Sequence, residues 1–463
     1  MKKLFVICAL MAMPALRMLA DVDPNFYIYI CFGQSNMEGN AQPETIDKTG
    51  IDARFRLLAT CNFSNPSRTK GNWYKATPPL VSPNGGLGPS DYFGRMMCES
   101  LPDSVRIGVI PVAMGGSPIQ MFDKDLYQDQ LKQHPSEWWA TLAKNHYAGN
   151  PYGRIIEMAK KAQEVGVIKG ILLHQGCTNN GDPNWPNMVK KIYNDMLTDL
   201  GLGTDSVPLF VGETLRQDQG GACYGHNTQV ARMPSVVPNS HVISSEGCPG
   251  NGVDPWHFNA FGYRMLGARY AGEALYTLEQ HLPYFSFHNY MITLNNSTYV
   301  ESTRTLKAKS TGWGIATWDY THPADWSDSK YLVVKFKEAP DSLAELWLYK
   351  KNGSKTTLAY RDTIKGRTMF VVDLQNASSR GVVLDPSKVA KMLFRCPKNT
   401  KMVFDDIFLS NDEEYGEYLA AINDPKTTNK PSQAPYYTLD GRPVKDALKP
   451  GVYVNKGKKV LVR

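Results

Sequence analysis

Short apolar runs recur through the first 280 positions, each ending in a polar or glycine-rich turn. They are Tyr27–Phe32, Arg106–Ala113, Ile168–His174, Pro208–Glu213 and His241–Ser244. Between them, Gly153–Val165 and Met188–Leu200 carry apolar residues at helical spacing. Alternating β and α units predict a parallel sheet covered on both faces. Ala260 to Leu278 reads as the helix that closes this unit, so the first domain is expected over residues 21–282. Beyond it the pattern changes to short alternating runs such as Tyr331–Phe336 and Ala344–Tyr349, which read as a β-sandwich over 283–421. Its aromatic residues Trp313, Trp318, Tyr320, Trp326 and Tyr360 make it a candidate glycan-binding module. Residues 422–434 read as a polar, proline-containing linker, and 435–463 as a short β-rich tail.

The turns at the strand ends carry the chemistry. The first reads Gly33-Gln34-Ser35-Asn36-Met37-Glu38-Gly39. Open α/β sheets present their sites at the carboxyl ends of the strands, and flanking glycines let the backbone turn sharply and leave a hydroxyl uncovered. Ser35 is therefore a candidate nucleophile. Far downstream, Asp254-Pro255-Trp256-His257 supplies an imidazole to take the serine proton and a carboxylate to hold the other ring nitrogen. The other strand ends read Met114-Gly115-Gly116-Ser117, Gln175-Gly176-Cys177 and Gly212-Glu213-Thr214. Negative charge on an ester carbonyl oxygen needs donors already pointing at it; the backbone N–H groups of Ser35 and Gly116 are the candidates, with Gly115 the alternative to Gly116. Gln34, Asn36, Glu213 and Gln217 are candidate substrate contacts, and Arg216 lies beside them. Asn36 could equally brace the turn, and Glu213 orient a loop. His174, His226 and His241 are alternative bases, and Asp254 could instead cap a helix.

These blocks together resemble the SGNH-type esterases. More narrowly they resemble the sialate O-acetylesterase / acetylxylan esterase group, carbohydrate esterase family 6, over roughly residues 24–280. The resemblance implies a flavodoxin-like, three-layer α/β/α SGNH hydrolase domain with a parallel sheet, followed here by the jelly-roll-like sandwich. It also implies metal-free deacetylation of sugars, with no cofactor. It makes Gln175 of the His-Gln-Gly block the side-chain donor of the oxyanion hole, with Asn179 as the alternative. One departure stands out: relatives carry H-Q-G-E, and here the glutamate is Cys177.

Composition adds limits. The chain has 463 residues, 42% hydrophobic and 21% charged, with a formal net charge of +7. Lys2, Lys3 and Arg17 lie in an apolar N-terminal stretch that reads as a secretory signal ending at Ala20. Without them the charge is about +4, too small to imply nucleic acid. No apolar run long enough for a membrane span follows. Seven cysteines remain after Cys8, without a C-x-x-C pair; Cys223 and Cys248, in glycine-rich loops, are a candidate disulfide. The tail after the linker is similar to a sorting segment of a bacterial secretion system, or is a plain hairpin on the sandwich. The expectation is a secreted, periplasmic or cell-surface enzyme. Its partner would be an acetylated oligo- or polysaccharide, with plant xylan or a related polymer favoured over sialic acid. The rival readings are a glycan-binding protein with a decayed site, and a lipase-like or peptidase-like hydrolase.

Overall fold

In the computed structural model the described residues are 22–204, 206–279, 292–300, 303–423, 436–437, 451–455 and 458–462. The signal segment and most of the linker lie outside them. Seven strands form the first sheet: β1 (Phe26–Gly33), β2 (Phe55–Leu58), β3 (Trp73–Lys75), β4 (Arg106–Ala113), β5 (Val167–His174), β6 (Leu209–Gly212) and β7 (Ser240–Ile243). Their order is β3-β2-β4-β1-β5-β6-β7. Every pairing is parallel except β2 with β3. The five apolar runs of the sequence are β1, β4, β5, β6 and β7. The edge pair β2 and β3 is extra.

Strand β1 shows why the runs are nearly all apolar. Phe26, Ile28, Ile30 and Phe32 point into one core; Tyr29 and Cys31 point into a second core on the opposite face. A parallel strand buried on both faces needs no polar alternation. Helices cover each face. Pro151–Gln163 and Trp185–Asp199 contribute to the first core, and Pro89–Ser100 and Ala260–Thr277 to the second. Two of these helices start at asparagine caps: Asn150 Oδ1 accepts from Gly153 N–H at 2.7 Å, and Asn259 Oδ1 from Gly262 N–H at 2.8 Å. Ala260–Thr277 packs so closely on Pro89–Ser100 that a Cβ on Gly267 would lie 2.5 Å from the Pro89 carbonyl oxygen. Arg264 of the same helix reaches back to the N-terminal loops, bonding Asp47 at 2.8 and 2.9 Å and Glu44 at 2.8 Å.

The chain reverses direction in the sheet next to β1: β4 lies on one side of it and β5 on the other. A crevice opens at such a reversal, outside the carboxyl ends of the strands. Ser35 follows β1, and Gln175 follows β5.

The C-terminal part is antiparallel. One five-stranded sheet runs Met369–Asp373, Tyr331–Phe336, Lys401–Ser410, Thr305–Ala308, Ser297–Val300. The other runs Lys355–Thr363, Glu345–Asn352, Val389–Cys396, Gly314–Ala324, Ile292–Asn295. Both feed side chains into one core, among them Leu332, Phe404, Leu346 and Phe394. Trp318, Tyr320 and Trp326 belong to that core, 1%, 9% and 1% exposed, so they do not form a sugar-binding face as the sequence suggested. Trp318 and Tyr320 alternate with outward residues along Gly314–Ala324 and point to the apolar side, and Trp326 follows in the next turn. Trp313 and Tyr360 are half-buried. The helix Glu413–Asn423 runs through the first two positions expected in the linker. The tail strands Tyr436–Tyr437, Gly451–Asn455 and Lys458–Val462 make a three-stranded antiparallel sheet.

The two parts meet at Glu273. Its carboxylate lies 3.3 Å from His241 Nδ1 and 3.0 Å from His322 Nε2. Tyr276 stacks flat on His322, with ring centroids 3.6 Å apart and planes 1° from parallel.

Candidate active site

Ser35 opens a single helical turn, Ser35–Glu38, at the end of β1. The preceding Gly33 has φ +149°, and a Cβ there would fall 2.2 Å from the His174 carbonyl oxygen, so only glycine fits between β1 and β5. Ser35 Oγ lies 2.8 Å from His257 Nε2. His257 Nδ1 lies 2.9 and 3.0 Å from the two carboxylate oxygens of Asp254. The structure thus brings Ser35 together with an Asp–His pair more than two hundred positions away in the sequence.

The Asp254 carboxylate is itself held. It accepts from Asn251 Nδ2 at 2.9 Å, from Trp256 N–H at 2.8 Å and from His257 N–H at 3.0 Å. Burial pushes its carboxyl up. The bonds from His257, Asn251 and the Trp256 backbone outweigh that and draw it down to about 2. It is an anion at any physiological pH, which fixes the proton of the imidazole on Nδ1 and leaves Nε2 free to accept.

A second network holds the loop that faces Ser35. Glu38, 6% exposed, accepts from Gly115 N–H at 2.7 Å and from Ser82 Oγ–H at 2.7 Å. Burial raises its carboxyl above the usual range, and these two bonds oppose the rise. With the Gly115 N–H committed to Glu38, Gly116 is the glycine of the pair whose amide remains for the site. Its φ of +78° is the left-handed conformation that glycine adopts without strain. Glu38 was not singled out from the sequence, although its place inside the serine block was a signal.

Several expected contacts prove to be scaffolding. Gln175 is fully buried; its Nε2 donates to Asn179 Oδ1 at 2.8 Å and to the Ser117 carbonyl at 3.3 Å, and its Oε1 accepts from Trp185 Nε1. Both amide hydrogens are spoken for, so it is not a free oxyanion donor. Asn179 accepts from Ile119 N–H at 2.9 Å and from Gln175, and gives one of its two N–H groups to Gln120 at 3.2 Å. Gln34, 3% exposed, accepts from Gly176 N–H at 3.0 Å and Thr178 N–H at 3.4 Å, clamping the end of β1 to the loop after β5 instead of meeting a substrate. Asn36 is 1% exposed, bonded to the Trp256 carbonyl at 3.0 Å and to Tyr263 Oη at 2.7 Å, so it braces the turn. Glu213 accepts from Arg216 Nε at 2.9 Å and Ser245 N–H at 2.9 Å, which makes it a loop orienter. Arg216 is held in that pair and lies 3.5 Å from Glu246. Gln217 is exposed on the turn Gln217–Gln219.

The alternative bases sit elsewhere. His174 and His226 are buried, and burial draws both down to about 4; His241 faces Glu273. Cys223 and Cys248 are free thiols, so the expected disulfide is absent. Cys223 instead meets Cys177, its Sγ 3.8 Å from the Cys177 carbonyl oxygen. The hydrogen bond between the two thiols, together with burial, pushes the Cys177 thiol up. Asp123, Asp125 and Asp195 are a carboxylate group compact enough for a cation. Lys191 Nζ occupies its centre, 2.7, 2.7 and 2.9 Å from the three.

The family model of carbohydrate esterases described as sialic acid-specific acetylesterases matches residues 25–276. The chain belongs to this family. Removal of O-acetyl groups from carbohydrate is the activity of the esterase, and the matched span holds the serine block, the Gly-Gly turn and the D-x-x-H quartet together. Among solved structures, the esterase is similar to a protein from Arabidopsis thaliana at 19% identity, covering 55% of this chain and 98% of that one, with a TM-score of 0.42. A carbohydrate acetylesterase from Xanthomonas citri matches at 16% identity over 81% of this chain and 80% of that one, TM-score 0.38. NanS matches at 15% identity over 56% of this chain and 99% of that one, TM-score 0.41.

Proposed function

We propose that the esterase works through an acetyl-enzyme on Ser35, in a flavodoxin-like hydrolase domain of the SGNH type. The contact that carries this reading is the 2.8 Å approach of Ser35 Oγ to His257 Nε2, with Asp254 behind the ring. Ser35 Oγ attacks the acetyl carbonyl carbon as its proton passes to His257 Nε2. The carbonyl oxygen gains negative charge against the N–H groups of Ser35 and Gly116, with Asn179 as the side-chain candidate beside them. The C–O bond to the sugar then breaks, and the sugar oxygen takes the proton from His257. A water molecule, deprotonated by the same nitrogen, attacks the acetyl-serine; the bond from the acyl carbon to Ser35 Oγ breaks, acetate leaves, and Ser35 Oγ takes the proton back from His257. Asp254 stabilises the imidazolium in both halves.

An exported enzyme acting on an acetylated plant polysaccharide such as xylan is the preferred setting. The apolar N-terminal stretch supports export, and the appended β-sheets suit a polymeric substrate. The tail is proposed as the segment read by a secretion system. Ser35→Ala and His257→Ala test the mechanism. Each is expected to lower kcat on p-nitrophenyl acetate by a factor of about 10⁴ or more with an unchanged circular dichroism spectrum. Either variant turning over near the wild-type rate removes the triad.

A further inference from the structure

Four aromatic side chains are exposed among the described residues: Trp138 at 58%, Tyr276 at 51%, Trp256 at 46% and Tyr224 at 45%. Tyr276 is taken by its stack on His322. Two of the other three lie next to triad residues, and the third is on a loop tied to them. Trp256 belongs to the D-x-x-H quartet, its ring centroid 6.5 Å from that of His257. Its backbone is pinned at both ends, the N–H to Asp254 and the carbonyl to Asn36. Tyr224 sits on a loop tied to the same quartet by the Ala222 N–H bond to the Pro255 carbonyl, 2.9 Å. Trp138 lies near the nucleophile, beside Gly115. A Cβ placed on Gly115 would touch both Ser35 Cβ, at 3.7 Å, and Trp138 Nε1, at 3.9 Å.

Bare rings on fixed backbone leave large apolar area in water, which is unfavourable unless a ligand covers it. The C–H face of a pyranose is flat and apolar, while its hydroxyls point outward, so an aromatic ring is the surface that suits it. Charge narrows the class. Arg216, on the loop after β6, is committed to Glu213 and lies near Glu246, so it does not offer a free partner to a sugar carboxylate.

We propose that the three rings are sugar platforms for a neutral glycan chain that crosses the site. Trp256 and Tyr224 carry the acetyl-bearing residue, because its oxygen must meet His257. Trp138 carries a further residue of the same chain beyond Ser35. The inference rests on the serine mechanism and polymeric substrate proposed above and adds the side chains that hold the glycan.

The test compares acetylated xylo-oligosaccharides, p-nitrophenyl acetate and O-acetylated N-acetylneuraminic acid in the full chain. Trp256→Ala and Trp138→Ala are each expected to lower kcat/KM on the oligosaccharide about tenfold more than on p-nitrophenyl acetate, chiefly through KM. Trp256→Tyr should recover most of the loss. Ser35→Ala, titrated with the same oligosaccharide, should bind it, and binding should weaken about tenfold when Trp138→Ala is added. Equal losses on both substrates, or preference for the sialic acid, overturn the platforms and leave the triad standing. An active Ser35→Ala removes the triad and the platforms with it.

Discussion

Glu38→Ala should damage catalysis without touching the triad. The substitution takes away the acceptor of two 2.7 Å bonds, leaving the Gly115 N–H and the Ser82 hydroxyl unpaired in a region where Glu38 itself is 6% exposed. Each orphaned buried donor costs about 1–3 kcal/mol, so folding stability should fall by about 2–6 kcal/mol, less any gain from no longer burying a carboxylate. The catalytic effect runs through geometry. Once the Gly115 amide is released, the peptide that presents the Gly116 N–H is free to turn. Losing one oxyanion donor costs about 10²–10³ in kcat, and a donor that is loosened rather than deleted should cost about tenfold to a hundredfold. Glu38→Gln separates the terms. Its amide oxygen can still accept from Gly115, and the Ser82 hydroxyl can reverse to accept from the amide nitrogen, so activity should stay within about tenfold of wild type. The assay is kcat and KM on p-nitrophenyl acetate beside a thermal melt of each variant. A Glu38→Ala enzyme with reduced melting temperature but wild-type kcat refutes the positioning role. A Glu38→Gln enzyme as slow as the alanine variant shows that charge, not acceptor geometry, matters.

Asp254→Asn puts an N–H donor opposite His257 Nδ1 and Asn251 Nδ2, favouring the tautomer that cannot accept from Ser35, so kcat should fall by up to about 10⁴. The same carboxylate shapes acid stability. Its folded value of about 2 lies below its ordinary 3.8, so its charged form stabilises the fold above pH 3.8, by less than about 2 kcal/mol after solvent screening, and that contribution is lost as pH falls through 2. Urea midpoints from pH 5 to 2 should drop less steeply in Asp254→Asn than in wild type; parallel curves would falsify that assignment. Cys177→Ser should be nearly neutral, whereas Cys177→Glu, which installs the residue of relatives, places a carboxylate beside Cys223 and close to Asp254 and should destabilise by about 1–3 kcal/mol. A higher denaturant midpoint for the glutamate variant would contradict this. A chain ending at residue 282 retains every triad residue but loses His322 from Glu273 and Tyr276. It should still cleave p-nitrophenyl acetate, with a lower melting temperature than the full chain; a truncated chain that does not fold shows that the antiparallel part is required.

The parallel strands were legible because burial on both faces makes them nearly continuous apolar runs, as in Tyr27–Phe32. The pair β2 and β3 was not, because Phe55–Leu58 and Trp73–Lys75 are only four and three residues long, too short to show a pattern. At the site, Ser35, Asp254 and His257 were legible from their chemistry and flanking residues. Polar residues near Ser35 could not be sorted for one reason: sequence does not distinguish an amide aimed at substrate from one that satisfies buried backbone. Gln34, Asn36 and Gln175 look equally available on paper, and all three are consumed by N–H and C=O groups of neighbouring loops. The same limit applied to Trp318, whose side of the strand depends on register.

The close packing of Ala260–Thr277 on Pro89–Ser100 has a consequence for the order of events during synthesis. The earlier helix leaves the ribosome with Tyr92, Phe93, Met96 and Met97 uncovered, and its partner is made only after some 160 further residues. During that interval the growing chain carries an adhesive surface and an unarmed serine. The segment that delivers His257 immediately precedes the covering helix, so under the serine mechanism proposed above, arming Ser35 and sealing the sticky face belong to the same late step. A chain stalled before that point is both inert as a hydrolase and prone to aggregate, which makes this the stage at which a chaperone has most to protect.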